Sequence, residues 1–134
     1  MQLTREGDYG IRAVAYLAGS KNGSITSATI ISEKKNIPPK FLARIMPKLV
    51  RGGIVISIPG SKGGYKLARE SRLINCLEVL EALEGELRLN LCLDKAYHCE
   101  LEGQCHMSDV WLQGQNLLKD YFKGITFDIV GDAT

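Results

Sequence analysis

The spacing of apolar residues predicts two helices joined by a tight turn in the first half of the chain. Between residues 38 and 53 they form one stripe of an α-helix, at Phe41, Leu42, Ile45, Met46, Leu49 and Val50. Pro47 falls inside this helix, and because the stripe continues in phase we expect a kink after Met46 rather than a break. A shorter helix is predicted over residues 27–35, capped by Thr26 or Ser27, with tandem prolines at 38 and 39 marking the turn. Together these segments predict a helix-turn-helix.

A glycine-rich hairpin is predicted directly after the second helix. Residues 54–58 are typical of a strand, residues 65–68 of its return, and residues 59–64 of the tip between them. A hairpin in this position is the wing of a winged helix-turn-helix, and Ser61 and Lys62 lie at its tip. The sequence therefore predicts a winged helix-turn-helix DNA-binding domain over residues 1–72.

The second half of the chain predicts helices around one irregular loop. Residues 73–83 are amphipathic, residues 91–107 have no periodicity, and residues 108–123 predict a long helix. The long helix has little of its own chain to pack against, so we expect it to pair with a second subunit; packing within the chain is the alternative. Its apolar residues are Val110, Trp111, Leu117, Leu118, Tyr121 and Phe122.

The predicted fold is thus mainly α with a small β-hairpin wing. It consists of a winged helix-turn-helix plus a long dimerisation helix. Residues 73–134 form the helical dimerisation region, and a cysteine-cluster loop spans residues 91–107 within it.

Charge is distributed unevenly along the chain. Residues 34–72 carry ten Lys or Arg against one acid, whereas residues 73–134 carry four against eleven, and the whole chain has a net charge of only +2. A basic block of this kind is the electrostatic footprint of a surface that neutralises phosphates. Double-stranded DNA is therefore the predicted partner.

The second helix of the predicted pair carries its positive charge on one face. Lys40, Arg44, Lys48 and Arg51 follow one another at helical spacing with no acid among them. Because like charges at this spacing repel, the pattern predicts that an anionic partner meets this face; a plain solvated face is the alternative. Lys40, Arg44 and Lys48 are predicted to contact phosphates or base edges, and arginine is best suited to bidentate recognition of guanine.

Three cysteines cluster in the irregular loop. Cys92, Cys99 and Cys105 are separated by six and five residues, without the close pair that is typical of zinc sites. Three soft thiolates on a loop suit an iron–sulfur cluster that needs one further ligand, and redox-active or buried thiols remain open as alternatives. Cys76 lies in an amphipathic stretch and is predicted to be a small core residue.

Other classes of protein find no support in the sequence. No run of about 20 apolar residues and no secretory signal occur, so we expect no membrane contact and a cytoplasmic location, where thiols stay reduced. The chain has two histidines, both beside the cysteines, and no nucleophile motif. We therefore expect neither an enzyme nor a small-molecule substrate.

Motifs spread over nearly the whole chain match one known family. They comprise residues 1–4, residues 8–13, Ile37, residues 49–55, the wing at residues 60–65, the three cysteines and residues 124–127. In these motifs the chain resembles the Rrf-type winged helix-turn-helix transcription regulators, which include IscR-like and NsrR-like iron–sulfur sensors. The resemblance implies a homodimeric bacterial regulator that binds a pseudo-palindromic operator, with an affinity that depends on the state of its cluster.

The resemblance also implies a cofactor, a [2Fe–2S] or [4Fe–4S] cluster, and a fourth ligand. In the IscR-like pattern this ligand is a histidine three residues beyond the last cysteine, where this chain has Ser108. In the NsrR-like pattern it is an aspartate of the first helix of the other subunit, and Asp8 occupies that position. Asp8 is therefore the preferred ligand and His106 the second choice, ahead of Ser108 and His98. Without the resemblance, Asp8 would be interpreted as a helix cap.

The implied mechanism is a tie between the cysteine loop of one subunit and the first helix of the other. Ligation would set the separation of the two recognition helices and so the affinity for DNA, in response to iron, redox state or nitric oxide. Arg12, Ser61 and Lys62 would contact the DNA backbone. The alternative is a metal-free regulator controlled by thiol chemistry or by a protein partner, as in the CymR branch, and an electron carrier is a further class.

Overall fold

The computed structural model describes residues 2–21 and 23–132. Within them it has six α-helices and one two-stranded sheet. The helices are α1 (Arg5–Gly19), α2 (Ala28–Lys35), α3 (Pro39–Arg51), α4 (Cys76–Glu84), α5 (Met107–Lys123) and α6 (Phe127–Val130). The strands are β1 (Val55–Ile58) and β2 (Gly64–Leu67). Two parts of the predictions lie outside the described residues. They are Met1, which belongs to the motif at residues 1–4, and residues 133–134 of the predicted dimerisation region.

The predicted helix-turn-helix is confirmed, and local capping explains its boundaries. The Ser27 hydroxyl accepts a hydrogen bond from the Ile30 amide at 3.3 Å, so α2 begins where the sequence predicts. It ends at Asn36, whose left-handed backbone conformation (φ 52°) is one that asparagine tolerates well. α3 then begins at Pro39, a residue favoured in the first helical turn.

The apolar stripe of α3 faces the core. Leu42, Ile45, Met46 and Leu49 are all buried. α3 continues without a break through Pro47, which lies on the exposed side of the helix. The missing amide hydrogen bond is therefore lost on the solvent side, while the buried stripe stays in register.

The wing is tied to the segment that precedes α2. β1 and β2 pair antiparallel as predicted, and Thr26 adds a bridge to Tyr65 through two backbone hydrogen bonds of 2.9 and 2.8 Å. Gly64 has a φ of +153°, and a Cβ at this position would overlap the carbonyl oxygen of Thr26. A glycine is therefore required where the wing meets the helix-turn-helix.

The predicted start of the helix at residue 73 is wrong. α4 begins at Cys76, because Asn75 and Glu78 form a reciprocal capping box. The preceding residues, Ser71–Leu73, form a short 3-10 turn instead.

A single core unites the two halves of the chain. Ile74, Val79, Leu83 and Phe127 from the C-terminal half are buried in the same cluster as the core residues of α1 and α3. The chain end is attached to the same unit, because the Lys35 ammonium lies 2.7 Å from the Asp132 carboxylate. The predicted boundary between residues 72 and 73 therefore separates a predicted DNA-binding part from a predicted dimerisation part. It does not separate two cores, because the packing is continuous across it.

α5 packs mainly against α4. Gln115 is its one fully buried residue, and its side-chain oxygen accepts a hydrogen bond from the Leu89 amide at 2.8 Å. Lys119 lies 3.2 Å from Glu86 at the same contact. Most of the remaining surface of α5 is open to solvent. Across the described part of the chain, no helix is both long enough and apolar enough to span a bilayer.

We predict that Phe127→Ala lowers the free energy of unfolding by about 3–5 kcal/mol, because it empties a large buried site. Phe127 is 1% exposed, whereas Ile129 in the same short helix is 72% exposed. Ile129→Ala is therefore the matched control and should change stability by no more than about 0.5 kcal/mol. Urea unfolding followed by circular dichroism at one protein concentration measures both values. Equal effects would mean that α6 does not belong to the core.

Candidate nucleic-acid interface and cysteine site

The basic face of α3 points outward, but its four cations are not equivalent. Lys40, Arg44 and Arg51 are exposed, with 60% of the Arg44 side chain open to solvent. Only 33% of the Lys48 side chain is open, because this residue turns towards α1. Lys40, Arg44 and Arg51 are thus the cations on α3 with the freest access to a duplex.

Although α3 carries no acid among its four cations, an acid from another helix meets this face. Glu6, in the first turn of α1, places one carboxylate oxygen 2.7 Å from Lys48 Nζ and the other 3.8 Å from Arg44 Nε. The hydrogen bond from Lys48 is the main reason that the pKa of Glu6 is lowered. The acid comes from another helix, so the periodicity of α3 carries no sign of it.

Alternating cations and aromatic rings connect α1 to α3. The guanidinium of Arg44 lies 4.7 Å from the centre of the Phe41 ring, and Phe41 meets Tyr9 edge to face at 5.1 Å. Arg12 lies 5.0 Å from the centre of the Tyr9 ring. Such contacts each contribute about 0.5–1 kcal/mol at exposed sites. Together they fix the position of the basic face of α3 relative to α1.

Arg12, predicted to contact the DNA backbone, is also engaged within the chain. It forms a 2.6 Å ion pair with Asp8 and donates a 3.2 Å hydrogen bond to the carbonyl oxygen of Lys35. Its side chain is 38% exposed, so part of the guanidinium remains open to a phosphate. Arg12 therefore lies at a junction between α1 and the end of α2.

The wing tip presents the two residues predicted there. Ser61 and Lys62 are exposed in the turn between the strands. Gly60 has a φ of +103°, and a Cβ at Gly63 would overlap the carbonyl oxygen of Ile58. The glycines therefore make possible a tight tip on which Lys62 projects away from the domain.

The three loop cysteines line one cavity. The cavity has a volume of about 320 Å³, and Cys92, Cys99 and Cys105 share its wall with Trp111 of α5. Asn90 Nδ2 lies 3.5 Å from Cys92 Sγ. The loop thus brings together thiols that are up to thirteen residues apart in sequence.

The candidate fourth ligands are spread over different places. Ser108 lines the cavity and donates a 3.1 Å hydrogen bond to the carbonyl oxygen of Cys105. His106 immediately precedes α5, and His98, which does not line the cavity, lies 3.6 Å from Glu102, which does. Asp8 is on α1, paired with Arg12.

Asp8 is not the cap of α1. That position belongs to Thr4, whose hydroxyl accepts a hydrogen bond from the Gly7 amide at 3.0 Å. The capping interpretation of Asp8 is therefore wrong, and its carboxylate is 54% exposed beside Arg12. An exposed carboxylate on α1 is available to a second subunit.

The donor set fits an iron–sulfur cluster better than a single ion. Nowhere in residues 2–21 and 23–132 do three Cys, His, Asp or Glu side chains converge as the ligands of one metal ion do. A cluster of several irons has ligands farther apart than those of one ion, and cysteine thiolates are the ligands it prefers. Three cysteines on one cavity wall match that preference in donor type.

The recognition helix, the preceding helix and the paired wing define a winged helix-turn-helix DNA-binding protein. A family model matches residues 3–132, that of the Rrf2 family, described as iron-dependent transcriptional regulators. The chain belongs to this family, as the resemblance in its sequence implies.

Individual relatives agree with this assignment. A protein of Neisseria meningitidis serogroup A, described as an HTH-type transcriptional regulator, is 31% identical over 97% of this chain and 87% of its own length. The solved structure of T. potens IscR matches with a TM-score of 0.75 and 25% identity, covering 96% of this chain and 84% of its own. CymR, the global cysteine regulator of B. subtilis, matches in fold with a TM-score of 0.77 and 22% identity, covering 96% and 94%.

We predict that Cys76 is alkylated more slowly than the exposed Cys105 in the folded protein. Burial raises the pKa of the Cys76 thiol, so less thiolate is present at a given pH, and its reaction accelerates only at higher pH than that of an ordinary thiol. Mass spectrometry of iodoacetamide adducts over time measures both rates. In urea the two cysteines should react alike, whereas equal rates in the folded protein would contradict the prediction.

Proposed function

We propose that this chain is a homodimeric transcription regulator whose affinity for a pseudo-palindromic operator depends on an iron–sulfur cluster. Cys92, Cys99 and Cys105 would hold the cluster, with Asp8 of the partner subunit as the fourth ligand. The observation that carries the proposal is the single cavity lined by all three thiols. When bound, such a cluster would supply a centre that reacts with oxidants and nitric oxide. A regulator of chromosomal genes in bacteria acts in the cytoplasm, where these thiols stay reduced.

DNA binding is assigned to α3 and the wing. The N-terminal half of a recognition helix enters the major groove, where Lys40 and Arg44 would meet base edges or phosphates. Arg51 and Lys48 lie farther along the same face and suit phosphate contacts. Ser61 and Lys62 at the exposed tip would reach the neighbouring backbone or minor groove.

Dimerisation is assigned to one face of α5. Met107, Val110, Gly114, Leu117 and Tyr121 follow one another at spacings of three, four, three and four residues, the repeat of a coiled-coil seam. The four large side chains are exposed, Leu117 by 73% and Tyr121 by 65%, although an apolar stripe of this length is normally covered. The contact of α5 with α4 lies on another face, around the buried Gln115.

The occupant that best suits this stripe is a second copy of α5. The stripe is nearly symmetric about Gly114, because Met107 and Tyr121 lie seven residues before and after it. An antiparallel copy that crosses at Gly114 would pair Met107 with Tyr121 of the partner subunit and Val110 with Leu117 of the partner subunit. A glycine at the crossing point lets two helices approach closely.

A route from the cluster to α3 follows from the contacts of α1. Asp8 is paired with Arg12, Arg12 lies on Tyr9, and Tyr9 contacts Phe41 of the recognition helix. A change in the partner of the Asp8 carboxylate would release or reposition Arg12. The direct packing of Tyr9 on Phe41 would pass that change to the reading face.

The test combines cofactor loading with DNA binding under anaerobic conditions. Reconstituted wild type should contain stoichiometric iron and sulfide, and its loaded and unloaded forms should differ in operator affinity by about 5–150-fold, as is typical of coupled sites. Cys99→Ser should abolish loading, and Asp8→Ala should yield a cluster that is lost faster. Cys76→Ser is the matched control, because Cys76 lies on α4 and not on the cavity wall.

Two results would contradict the cluster proposal. Full retention of iron and sulfide in Cys99→Ser would count against the cysteines as ligands. Equal operator affinity of the loaded and unloaded wild type counts against control by the cluster. Unchanged cluster stability in Asp8→Ala rejects Asp8 alone.

The second candidate is a metal-free regulator that responds through its thiols or through a protein partner. It is supported by the same cavity, because three thiols on one wall can also be oxidised without any metal. The similarity in fold to CymR agrees with it. This candidate predicts salt-dependent operator binding by anaerobically purified protein that holds no iron, and a changed affinity after oxidation of the loop cysteines.

We predict that Leu117→Glu converts the dimer to a monomer, because it buries a charge at the centre of the apolar stripe. Leu112→Glu is the matched control, since Leu112 is an exposed leucine of the same helix on the side opposite to the stripe. Light scattering coupled to gel filtration gives the mass of each variant. Dissociation by Leu112→Glu with an intact Leu117→Glu dimer would place the interface elsewhere.

A further inference from the structure

An ion pair between Glu6 of α1 and Lys48 of the recognition helix lies on the face that would meet DNA. Within residues 2–21 and 23–132, Glu6 is the one carboxylate in ion-pair contact with a cation of α3. Its side chain is 23% exposed and that of Lys48 is 33% exposed, so the pair is only partly open to solvent. Because solvent still reaches both charges, we expect it to contribute no more than about 1 kcal/mol to stability. The pair does, however, occupy a cation on the face that would meet DNA.

A phosphate that approaches Lys48 must compete with Glu6. The carboxylate is already 2.7 Å from Lys48 Nζ, a charge-assisted hydrogen bond of ordinary length. If Lys48 exchanged the Glu6 carboxylate for a phosphate, it would gain little binding free energy, because one charge-assisted hydrogen bond replaces another. The displaced carboxylate would then lie near the phosphate, and the two like charges would repel. Lys40 and Arg51 have no such competitor among the described ion pairs and are free to neutralise phosphates.

The same carboxylate also orders Arg44. Glu6 approaches Arg44 at Nε, 3.8 Å away, while Phe41 supports the guanidinium at 4.7 Å. These two contacts leave the Arg44 side chain 60% exposed. Arg44 is thus oriented by α1 and by its own helix before a duplex arrives.

We propose that Glu6 is a specificity-determining residue that competes with DNA phosphates for Lys48 and thereby suppresses binding to non-operator DNA. Binding to arbitrary sequences rests almost wholly on phosphate contacts, so withholding one cation weakens it directly. Binding to an operator also uses base-edge contacts, for which an ordered Arg44 is an advantage. The proposal rests on DNA binding through α3 and does not require the cluster.

The experiment compares wild type with Glu6→Gln on two DNA probes over a range of salt concentrations. One probe is a duplex enriched from a random-sequence library by the wild-type protein, and the other is a scrambled duplex of the same length and composition. Because one more cation is free, the slope of log affinity against log salt for the scrambled probe should steepen by about 0.9. Affinity for the scrambled probe should rise several-fold, and the ratio between the two probes should fall.

A matched control separates this local effect from a change in net charge. Glu70→Gln removes the same charge and also breaks one ion pair, with Arg72, which lies outside α3. It should leave both the slope and the probe ratio close to those of wild type. Circular dichroism and gel filtration establish that each variant retains its fold and subunit mass.

A double variant identifies the cation involved. If Glu6 acts through Lys48, then Glu6→Gln should no longer raise affinity for the scrambled probe in a protein that also carries Lys48→Gln. A gain of the same size in that background would overturn the assignment to Lys48. An unchanged slope and probe ratio in Glu6→Gln, with operator binding intact, would overturn the proposal alone. Failure of the wild type to enrich any duplex would overturn DNA binding as well.

Discussion

The close packing of α1 between α3 and α4 is the constraint on which the rest of the structure depends. On one side, a Cβ at Gly10 would overlap Leu83 of α4, and one at Gly7 would overlap Glu84. On the other side, Tyr9 packs on Phe41 of α3. The two glycines therefore leave room for the Leu83 and Glu84 side chains against α1, while Tyr9 faces the recognition helix. Any displacement of α1 must move α3, α4 or both.

The first two turns of α1 carry several of the contacts that connect it to α3 and to Arg12. Glu6 contacts the cations of α3, Asp8 is exposed beside Arg12, and Tyr9 packs against Phe41. Because these residues are neighbours on a rigid helix, an event at the Asp8 carboxylate and an event at Lys48 are mechanically linked. In the proposed function, α1 is the element through which a signal at the cysteine loop of another subunit would reach DNA. This linkage needs no large rearrangement of the core.

Local features of this fold could be predicted from sequence, whereas contacts between distant segments could not. Neighbouring residues alone determine three such features, and the structure has each of them where it is predicted. They are the apolar stripe of α3, the cap at Ser27 and the glycine-rich wing. The pair of Glu6 with Lys48 joins residues 42 positions apart, and neither periodicity nor composition records it. The cysteine spacing predicts a cluster of thiols, but only the folded loop places all three on one cavity wall. The proposed fourth ligand has the same difficulty, because a residue contributed by another subunit would leave no spacing signal.

The separation of charge explains how a chain with a net charge of +2 can present a strongly positive surface. Some acidic residues of the C-terminal half form ion pairs of their own, such as Glu86 with Lys119 and Asp94 with Arg88. Glu86 and Lys119 join the segment before the cysteine loop to α5, and Asp94 of that loop pairs with Arg88. Fields from such paired charges are short-ranged at physiological salt, where the screening length is about 8 Å. The potential at the reading face is therefore set by the cations of α3 and the wing, and Glu6 is the acid positioned to modulate it.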